Sequence, residues 1–166
     1  MRSGSTRLAF AACALLAVAG CSEPATETGG TTAETASPSS SAAGDEEAAL
    51  AAYTGMWDAV TAASHGDEDA SRALDDHAVG GARELMRTAL DQAAAGGAAQ
   101  GEPVIDPVLT VESRERAVVA DCVDDSAWRT GGAPGAAGSR KVDATLIHDG
   151  LAWRVSELRI WEAGSC

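Results

Sequence analysis

The fold is decided by one stretch, residues 141–160, which reads KVDATLIHDGLAWRVSELRI. On each side of its centre, apolar and polar side chains alternate, as they do in strands that bury one face. The central His148-Asp149-Gly150 contains an Asp-Gly step, which adopts positive φ at little cost and is typical of tight hairpin turns. The stretch therefore predicts two antiparallel strands joined by that turn.

The apolar side chains change parity within the second of these strands. Trp153 and Val155 share one parity, whereas Leu158 and Ile160 share the other. One extra residue in a strand produces such a change, because it moves every later side chain to the opposite face. We therefore expect a β-bulge near Ser156-Glu157.

Two further strands are predicted upstream, because the apolar spacing changes from helical to alternating at Pro103. A glycine-rich segment, residues 131–138, forms a loop between the second and third strands. The apolar sets that share a parity within each of the first three strands are Ile105, Leu109 and Val111; Val118, Ala120 and Cys122; and Val142, Ala144 and Leu146.

Three helices are predicted before the strands. The first begins at the acids of residues 45–47, where the helix dipole favours negative charge, and ends near Gly66. The second covers residues 67–76 and the third residues 82–95, with Gly80-Gly81 between them. The apolar residues expected on the inner faces are Leu50, Tyr53, Trp57 and Val60, then Ala70 and Leu74, then Leu85, Met86, Ala89 and Leu90. Helices followed by an antiparallel meander of about four strands predict one α+β domain.

The N-terminus has the features of a secretory signal peptide. Residues 1–7 carry two arginines and no acid, and residues 8–18 form an apolar run too short to span a bilayer as a helix. The junction Val18-Ala19-Gly20-Cys21 resembles the lipobox of bacterial lipoproteins. That resemblance implies cleavage before Cys21 and a diacylglycerol on its thiol. The alternative is an ordinary signal peptide that leaves a soluble secreted protein.

The next segment is typical of a flexible tether. Residues 22–44 are mostly Ser, Thr, Ala, Gly, Glu and Pro, with no large apolar side chain. Such a segment cannot bury enough surface to fold. We therefore expect a signal peptide at 1–20, a lipidated cysteine and disordered tether at 21–44, and one folded domain at 45–166. The domain would be held on the extracytoplasmic face of the cell membrane.

The chain is strongly acidic, with 25 Asp and Glu against 12 Lys and Arg and a formal net charge of −13. Loss of residues 1–20 removes two arginines and no acid, which changes the charge to −15. Nucleic acid is disfavoured as a partner, because phosphate binding requires basic patches. Flat adsorption onto anionic lipid is disfavoured for the same reason.

Two cysteines remain in the expected domain. Cys122 and Cys166 would lie in a compartment that permits oxidation, and within the chain they can pair only with each other. A bridge would stabilise the fold by about 4 kcal/mol in the chain-entropy description. Free thiols and a shared metal are the alternatives, although two cysteines without nearby histidines make a poor zinc site. We expect the disulfide and no metal.

The order of helices and strands resembles the NTF2-like fold, in which helices pack in the hollow of a bent antiparallel sheet to form a cone. The whole chain is similar to a group of actinobacterial lipoproteins of uncharacterised function. The residues that carry the resemblance are 18–21 (VAGC), 52–57 (AYTGMW), 101–103 (GEP), 121–126 (DCVDDS) with Trp128, and 164–166 (GSC). The chain departs from the pattern at residues 77–79, where such domains often carry a short strand and this sequence has a poor one.

The resemblance implies acid–base chemistry for those cone domains that are enzymes, and it makes Tyr53, Trp57, His77 and Asp121 candidate pocket residues. Asp143 is a further candidate carboxylate. A carboxylate in an apolar cone would have a raised pKa and could act as a base near neutral pH. Alternation does not decide whether Asp121 faces inward or outward.

Residues 121–128 also have a structural interpretation. In it, Cys122 forms the bridge, aspartates cap a turn through their side chains, and Trp128 covers the core. The acid-rich residues 67–69 and 75–77 lack the ligand pattern of a calcium loop and are expected at a helix start and on a solvated face.

The sequence thus favours a non-catalytic protein that binds a small apolar ligand in the cone or binds an envelope protein, with no cofactor. One alternative is a cone-type lyase or isomerase. Another is a structural accessory subunit of an envelope complex.

Overall fold

The computed structural model describes residues 40–129 and 138–166, which form three helices followed by four strands. The helices are α1 (Ser40–Ser64), α2 (Glu68–His77) and α3 (Gly80–Ala94). The strands are β1 (Val108–Ser113), β2 (Arg116–Val123), β3 (Arg140–His148) and β4 (Trp153–Ile160). They form one antiparallel sheet in the order β1-β2-β3-β4. The predicted α+β class is confirmed, and the arrangement is consistent with an NTF2-like cone.

The predictions for the signal peptide, for Cys21, for most of the tether and for the loop at 131–137 concern residues outside the described ranges. Within those ranges, no helix has both the length and the apolar character that crossing a membrane requires.

The hairpin predicted around Asp149 is confirmed. β3 and β4 pair in antiparallel register, with His148 opposite Trp153. The Asp149 carboxylate accepts the backbone N–H groups of Leu151 and Ala152, each at 3.0 Å. These bonds fix the turn, and the turn sets the register in which the two strands meet.

The predicted β-bulge lies at Ser156. Thr145 pairs with Glu157 and Leu146 pairs with Val155, so Ser156 is an extra residue in β4. Its hydroxyl donates to the carbonyl oxygen of Thr145 at 3.1 Å. Side chains after the bulge therefore have the opposite parity from those before it, as the sequence predicted.

The segment between α2 and α3 makes a single bridge to the sheet. Ala78 pairs in parallel with Val155, and the Val79 N–H donates to the Val155 carbonyl at 2.9 Å. The poor strand expected at residues 77–79 is thus reduced to one bridging residue. Because the bridge lies beside the bulge, it holds the two helices against β4.

The helices cover one face of the sheet, and the core lies between them and that face. Burying a single large side chain there, such as Met86 or Leu146, stabilises the fold by about 1.5–3 kcal/mol. The largest fully buried side chains are Tyr53, Met56, Val60, Leu74, Met86, Val123, Val142, Leu146 and Val155.

In β2, the apolar residues that were predicted to share a parity lie on the face of the sheet away from the helices. That set is Val118, Ala120 and Cys122, whereas the buried residues are Ala117, Val119, Asp121 and Val123. Because β2 has small apolar residues at both parities, its own pattern does not distinguish the faces. Pairing with β3 decides between them, since Val119 lies opposite the buried Ala144.

Two helices begin earlier than predicted. α1 begins at Ser40, inside the expected tether, so the acids of residues 45–47 lie beyond its first turn. Serine and alanine are tolerated in helices, and no proline interrupts residues 40–64. α3 begins at Gly80, so the expected interruption forms its first turn.

The inner face of α3 differs from the expected one. Ala82 and Met86, four residues apart, are buried against the sheet, whereas Leu85 is 39% exposed. α2 agrees with the prediction: Leu74 is buried, and Asp67 caps the helix through its carboxylate.

The predicted disulfide between Cys122 and Cys166 is present, with Cα atoms 6.1 Å apart. It joins the segment after β4 to the outer side of β2. The Ser165 hydroxyl accepts the Lys141 N–H at 2.9 Å, which fixes the same segment against β3.

Candidate functional site

Two of the candidate residues meet in the core. α1 directs Tyr53 toward the sheet and β2 directs Asp121 toward the helices. The Tyr53 hydroxyl donates to Asp121 Oδ2 at 2.8 Å. Tyr53 has no exposed surface and Asp121 is 5% exposed. Asp121 therefore faces inward, which alternation had left open.

The second oxygen of Asp121 is also occupied. Oδ1 accepts the backbone N–H groups of Asp106 at 2.8 Å and Cys122 at 2.6 Å. With the Tyr53 hydroxyl, the carboxylate accepts three hydrogen bonds, which compensate for its burial. The side chain therefore ties α1 and the segment before β1 to β2.

Tyr53 is a neutral donor in this pair. Burial raises its pKa well above the ordinary value of 10.0, the nearby Trp57 indole lowers it in part, and the hydrogen bond and charge of Asp121 raise it further. The hydroxyl therefore keeps its proton at physiological pH and holds the Asp121 carboxylate in place.

His77 does not join this pair. Its ring lies over Gly55, and a Cβ at that position would be 2.5 Å from the His77 Cε1. Among the described residues, no hydrogen bond links His77 to Tyr53 or Asp121. The structure thus brings Tyr53, Trp57 and Asp121 together. His77, from α2, packs against α1 at Gly55 and stays apart from them.

The other two histidines have local structural contacts. His65 Nε2 lies 2.9 Å from the carbonyl oxygen of Gly101. His148 Nδ1 accepts the Gly150 N–H at 3.2 Å, inside the hairpin turn.

A small cavity opens between α1, α3 and the ends of β2, β3 and β4, and we call it the end cavity. It has a volume of about 170 Å³. Its lining includes the apolar or aromatic side chains of Trp57, Val60, Met86 and Trp128 and the charged side chains of Asp125 and Arg140. Trp57 and Trp128 pack edge to face, with ring centroids 6.4 Å apart. An ion pair lies at its rim, where Arg140 Nε donates to Asp125 Oδ2 at 2.7 Å.

A larger groove crosses the opposite face of the sheet, and we call it the outer groove. Its volume is about 510 Å³. Two cross-strand rows of side chains form it: Thr110, Val118, Thr145 and Glu157, then Val108, Ala120, Asp143 and Arg159. The groove therefore crosses all four strands, and most of the side chains on its floor are small.

Asp143, the other candidate carboxylate, belongs to the outer groove. Trp161 Nε1 donates to its Oδ2 at 2.8 Å, and Lys141 Nζ lies 3.2 Å from its Oδ1. The Arg159 guanidinium lies 3.6 Å from the centre of the Trp161 ring. The Trp161 hydrogen bond, with Lys141 and Arg159, lowers the pKa of Asp143 below its ordinary value. The group is therefore ionised at neutral pH.

Residues 121–128 agree with their structural interpretation. Asp124 Oδ1 accepts the Ser126 N–H at 3.0 Å, which closes the turn. Trp128 Nε1 donates to the Ser64 hydroxyl at 3.2 Å and its ring packs against the core. The partner of Asp125 could not be predicted, because Arg140 lies 15 positions later and no local pattern joins the two.

No group of three or more His, Cys, Asp or Glu side chains within 40–129 and 138–166 is arranged to hold a metal ion. Of the acid-rich segments, Asp67 serves as a helix cap, accepting the N–H groups of Asp69 and Ala70. Asp75 pairs instead with Arg87, at 2.7 Å.

The chain matches no family model, no curated protein and no solved structure. The resemblances to lipoproteins and to NTF2-like domains therefore remain expectations.

Proposed function

We propose that this protein is a lipid-anchored domain on the extracytoplasmic face of the cell membrane, that it binds another envelope protein, and that it does so without catalysis. One observation carries the proposal: the candidate acid–base pair is sealed in the core, while a groove of about 510 Å³ lies on the face of the sheet that the described helices leave open.

The burial of Tyr53 and Asp121 supports a binding role over an enzymatic one. A general base must come within hydrogen-bond reach of the proton it removes. Asp121 already accepts three hydrogen bonds from the protein. Neither residue lines the end cavity, the outer groove or the three other surface depressions formed by the described residues. A substrate would have to displace core side chains to reach them.

The composition of the outer groove supports a protein partner. Its floor of valine, alanine and threonine is bordered by Asp143, Glu157 and Arg159, which resembles the apolar centre and polar rim of protein interfaces. Val108, at one side, is 68% exposed. Among the residues that the structure describes, Glu157 has no cation within ion-pair distance. A bound partner would bury Val108 and place a cationic side chain beside Glu157.

The anchor is supported by the sequence of the N-terminus. The residues VAGC at 18–21 follow a basic start and a short apolar run. Two acyl chains hold a protein at a membrane far better than one. An acidic domain gains little from the anionic membrane surface, so a covalent anchor would provide the attachment.

Site-specific photo-crosslinking tests the proposal. A benzoylphenylalanine replaces Thr145 in the outer groove or, as a matched control, Gln92 on the exposed side of α3, in cells that make the full chain. We expect one discrete crosslinked protein from position 145 and none from position 92. Ala120→Arg, which fills the groove, should abolish that product. Equal products from both positions, or none from position 145, would overturn the proposal.

The anchor is tested separately by feeding the same cells an alkyne fatty acid. The wild-type chain should acquire the label, and Cys21→Ala should not. Labelling that persists in the variant would contradict the lipidation.

A further inference from the structure

The last six residues form a strap across one end of the outer groove, and we call residues 161–166 the C-terminal strap. The second cross-strand row of the groove is Val108, Ala120, Asp143 and Arg159. In the next row Cys122 pairs with Lys141, and the Trp161 N–H donates to the Lys141 carbonyl at 3.0 Å. The strap therefore begins after β4, passes the start of β3 and ends at β2, where Cys166 is bonded to Cys122.

The strap positions two side chains of the groove. Trp161 Nε1 donates to Asp143 Oδ2 at 2.8 Å, and the Arg159 guanidinium lies 3.6 Å from the centre of the same indole ring. Asp143 and Arg159 both line the groove. Among the described residues, no cation lies within ion-pair distance of Glu157, which lines the groove two positions before Arg159. Arg159 thus stacks on Trp161 instead of pairing with Glu157.

The disulfide is the main attachment of the strap. None of its six residues, all of which the structure describes, is buried. The Gly164 N–H donates to the Ser139 carbonyl at 2.9 Å, and the Lys141 N–H donates to the Ser165 hydroxyl at 2.9 Å. Chain ends fray unless they are tied down, because ordering each residue costs backbone entropy and hydrogen bonds open to water return little. The covalent bond therefore keeps the strap in place.

A reductant can reach this bond. Cys122 and Cys166 are both exposed, on the face of the sheet away from the core. The thiolate of a dithiol attacks one sulfur to form a mixed disulfide, and its second thiol then displaces the cysteine. The two cysteines gain two electrons and two protons and become thiols, while the dithiol becomes a disulfide. No core contact is removed in this exchange, because the core lies on the other face.

We propose that the C-terminal strap is redox-sensitive: the intact bond holds Trp161 against Asp143 and Arg159, and reduction by a dithiol releases the strap from the sheet. In the reduced form Arg159 loses the indole ring and is free to pair with Glu157. The outer groove then lacks its indole border and its unpaired acid, so the partner proposed above binds the oxidised form more tightly. This last consequence rests on the proposed function, whereas the release of the strap does not.

The test follows the four tryptophan indole N–H signals of the ¹⁵N-labelled full chain before and after addition of dithiothreitol, a dithiol. We expect the Trp161 signal, assigned by its loss in Trp161→Phe, to move to the position of a water-exposed indole. The Trp153 signal should stay in place, because that side chain is buried beside the hairpin at the other end of β4. Reoxidation should restore the first spectrum.

Two variants of the strap separate the bond from other effects of the reductant. Cys166→Ser should place the Trp161 signal where reduction places it in the wild type, and dithiothreitol should then change nothing further. Ser165→Ala keeps the bond and removes one contact with β3, so its Trp161 signal should respond to dithiothreitol as that of the wild type does.

The consequence for the partner is tested in cells with the crosslinker at position 145. Cys166→Ser should reduce the crosslinked product by about tenfold, the effect of losing one anchoring side chain at an interface. Ser165→Ala should retain the product, since the bond that holds the strap is intact.

Three results would overturn the inference. The first is a Trp161 signal that does not move on reduction. The second is a joint loss of all four indole signals, which would show that the bond holds the whole fold. The third is an equal amount of crosslinked product from Cys166→Ser and the wild type. Absence of any product from the wild type would overturn the proposed function instead, and the indole signals would still decide whether the strap is released.

Discussion

Two aspartates in neighbouring strands, Asp121 on the inner face of the sheet and Asp143 on the outer face, offer a direct comparison. Each accepts a hydrogen bond of 2.8 Å from an aromatic side chain, Tyr53 for the first and Trp161 for the second. Asp121 is 5% exposed, whereas the Asp143 side chain retains 40% of its surface. These two hydrogen bonds of equal length should contribute differently to stability. Water readily replaces the one on the outer face, whereas it cannot reach the one on the inner face.

The largest expected effect is that of Asp121→Ala. The substitution leaves the buried Tyr53 hydroxyl without a partner, at a cost of about 1–3 kcal/mol, and it also removes the acceptor of the part-buried Asp106 and Cys122 N–H groups. We expect a loss of about 3 kcal/mol or more in the free energy of unfolding, measured by urea denaturation. Asp143→Ala is the matched control and should cost less than about 0.5 kcal/mol. If the two variants lost similar free energies of unfolding, the buried Asp121 would stabilise the fold no more than the exposed Asp143 does.

The next effect concerns how closely the helix-covered side is packed. Gly55→Ala places a Cβ 2.5 Å from the His77 ring, so the ring must turn aside, and we expect the fold to lose up to about 1 kcal/mol. Gly44→Ala in the same helix meets nothing within 4 Å and should stabilise it by up to about 1 kcal/mol, because alanine favours helix. Adding His77→Ala to Gly55→Ala should recover most of the loss. Failure of that recovery in thermal unfolding would show that His77 is not the obstacle.

A smaller effect should appear at alkaline pH. Burial raises the pKa of Tyr53 above 10.0 in the folded state. The resulting stability is complete below pH 10.0 and declines at higher pH, because only the unfolded chain then releases the proton. Tyr53 is the single tyrosine, so tyrosinate absorbance reports on it alone. We expect no tyrosinate as pH passes 10.0 until the protein unfolds; ordinary titration of the folded protein would contradict the burial.

The smallest effect should appear at acidic pH. The Trp161 hydrogen bond and the cations near Asp143 lower its pKa below 3.8. A lowered pKa stabilises the folded state above the unfolded pKa, and this contribution disappears as pH falls through the folded pKa. Asp143→Asn should therefore be slightly less stable than wild type at neutral pH, by under about 0.5 kcal/mol, and equal to it in strong acid. If the difference in stability between wild type and Asp143→Asn grew as the pH fell, the pKa of Asp143 would not be lowered in the folded state.

The local features of the fold could be predicted because they depend on neighbouring residues. The Asp149-Gly150 step specified the hairpin, the parity change between Val155 and Leu158 specified the bulge at Ser156, and two remaining cysteines allowed one pairing. Periodicity located the three helices, although the start of α1 was placed five residues late because small residues such as Ser40 do not mark a boundary.

The features of the site depended on contacts between distant residues, and these were not predictable. Tyr53 and Asp121 are 68 positions apart in sequence, and β2 is apolar at both parities, so no local pattern directs Asp121 inward. The position of His77 over Gly55 likewise follows from helix packing. Gly55 is the one local feature that could have indicated the contact, since a glycine inside a helix is unfavourable unless packing requires it.

The bond between Cys122 and Cys166 gives the molecule a closed covalent ring, which contains β3 and β4 and excludes all three helices. A single peptide-bond cleavage inside the ring leaves one covalently connected molecule, whereas a cleavage between α3 and β1 breaks the covalent link between the helices and the sheet. Two of the four strands that form the outer groove, β3 and β4, therefore remain covalently joined after an internal nick. A protease would detach part of the covalent molecule only by cutting outside the ring or by cutting twice within it.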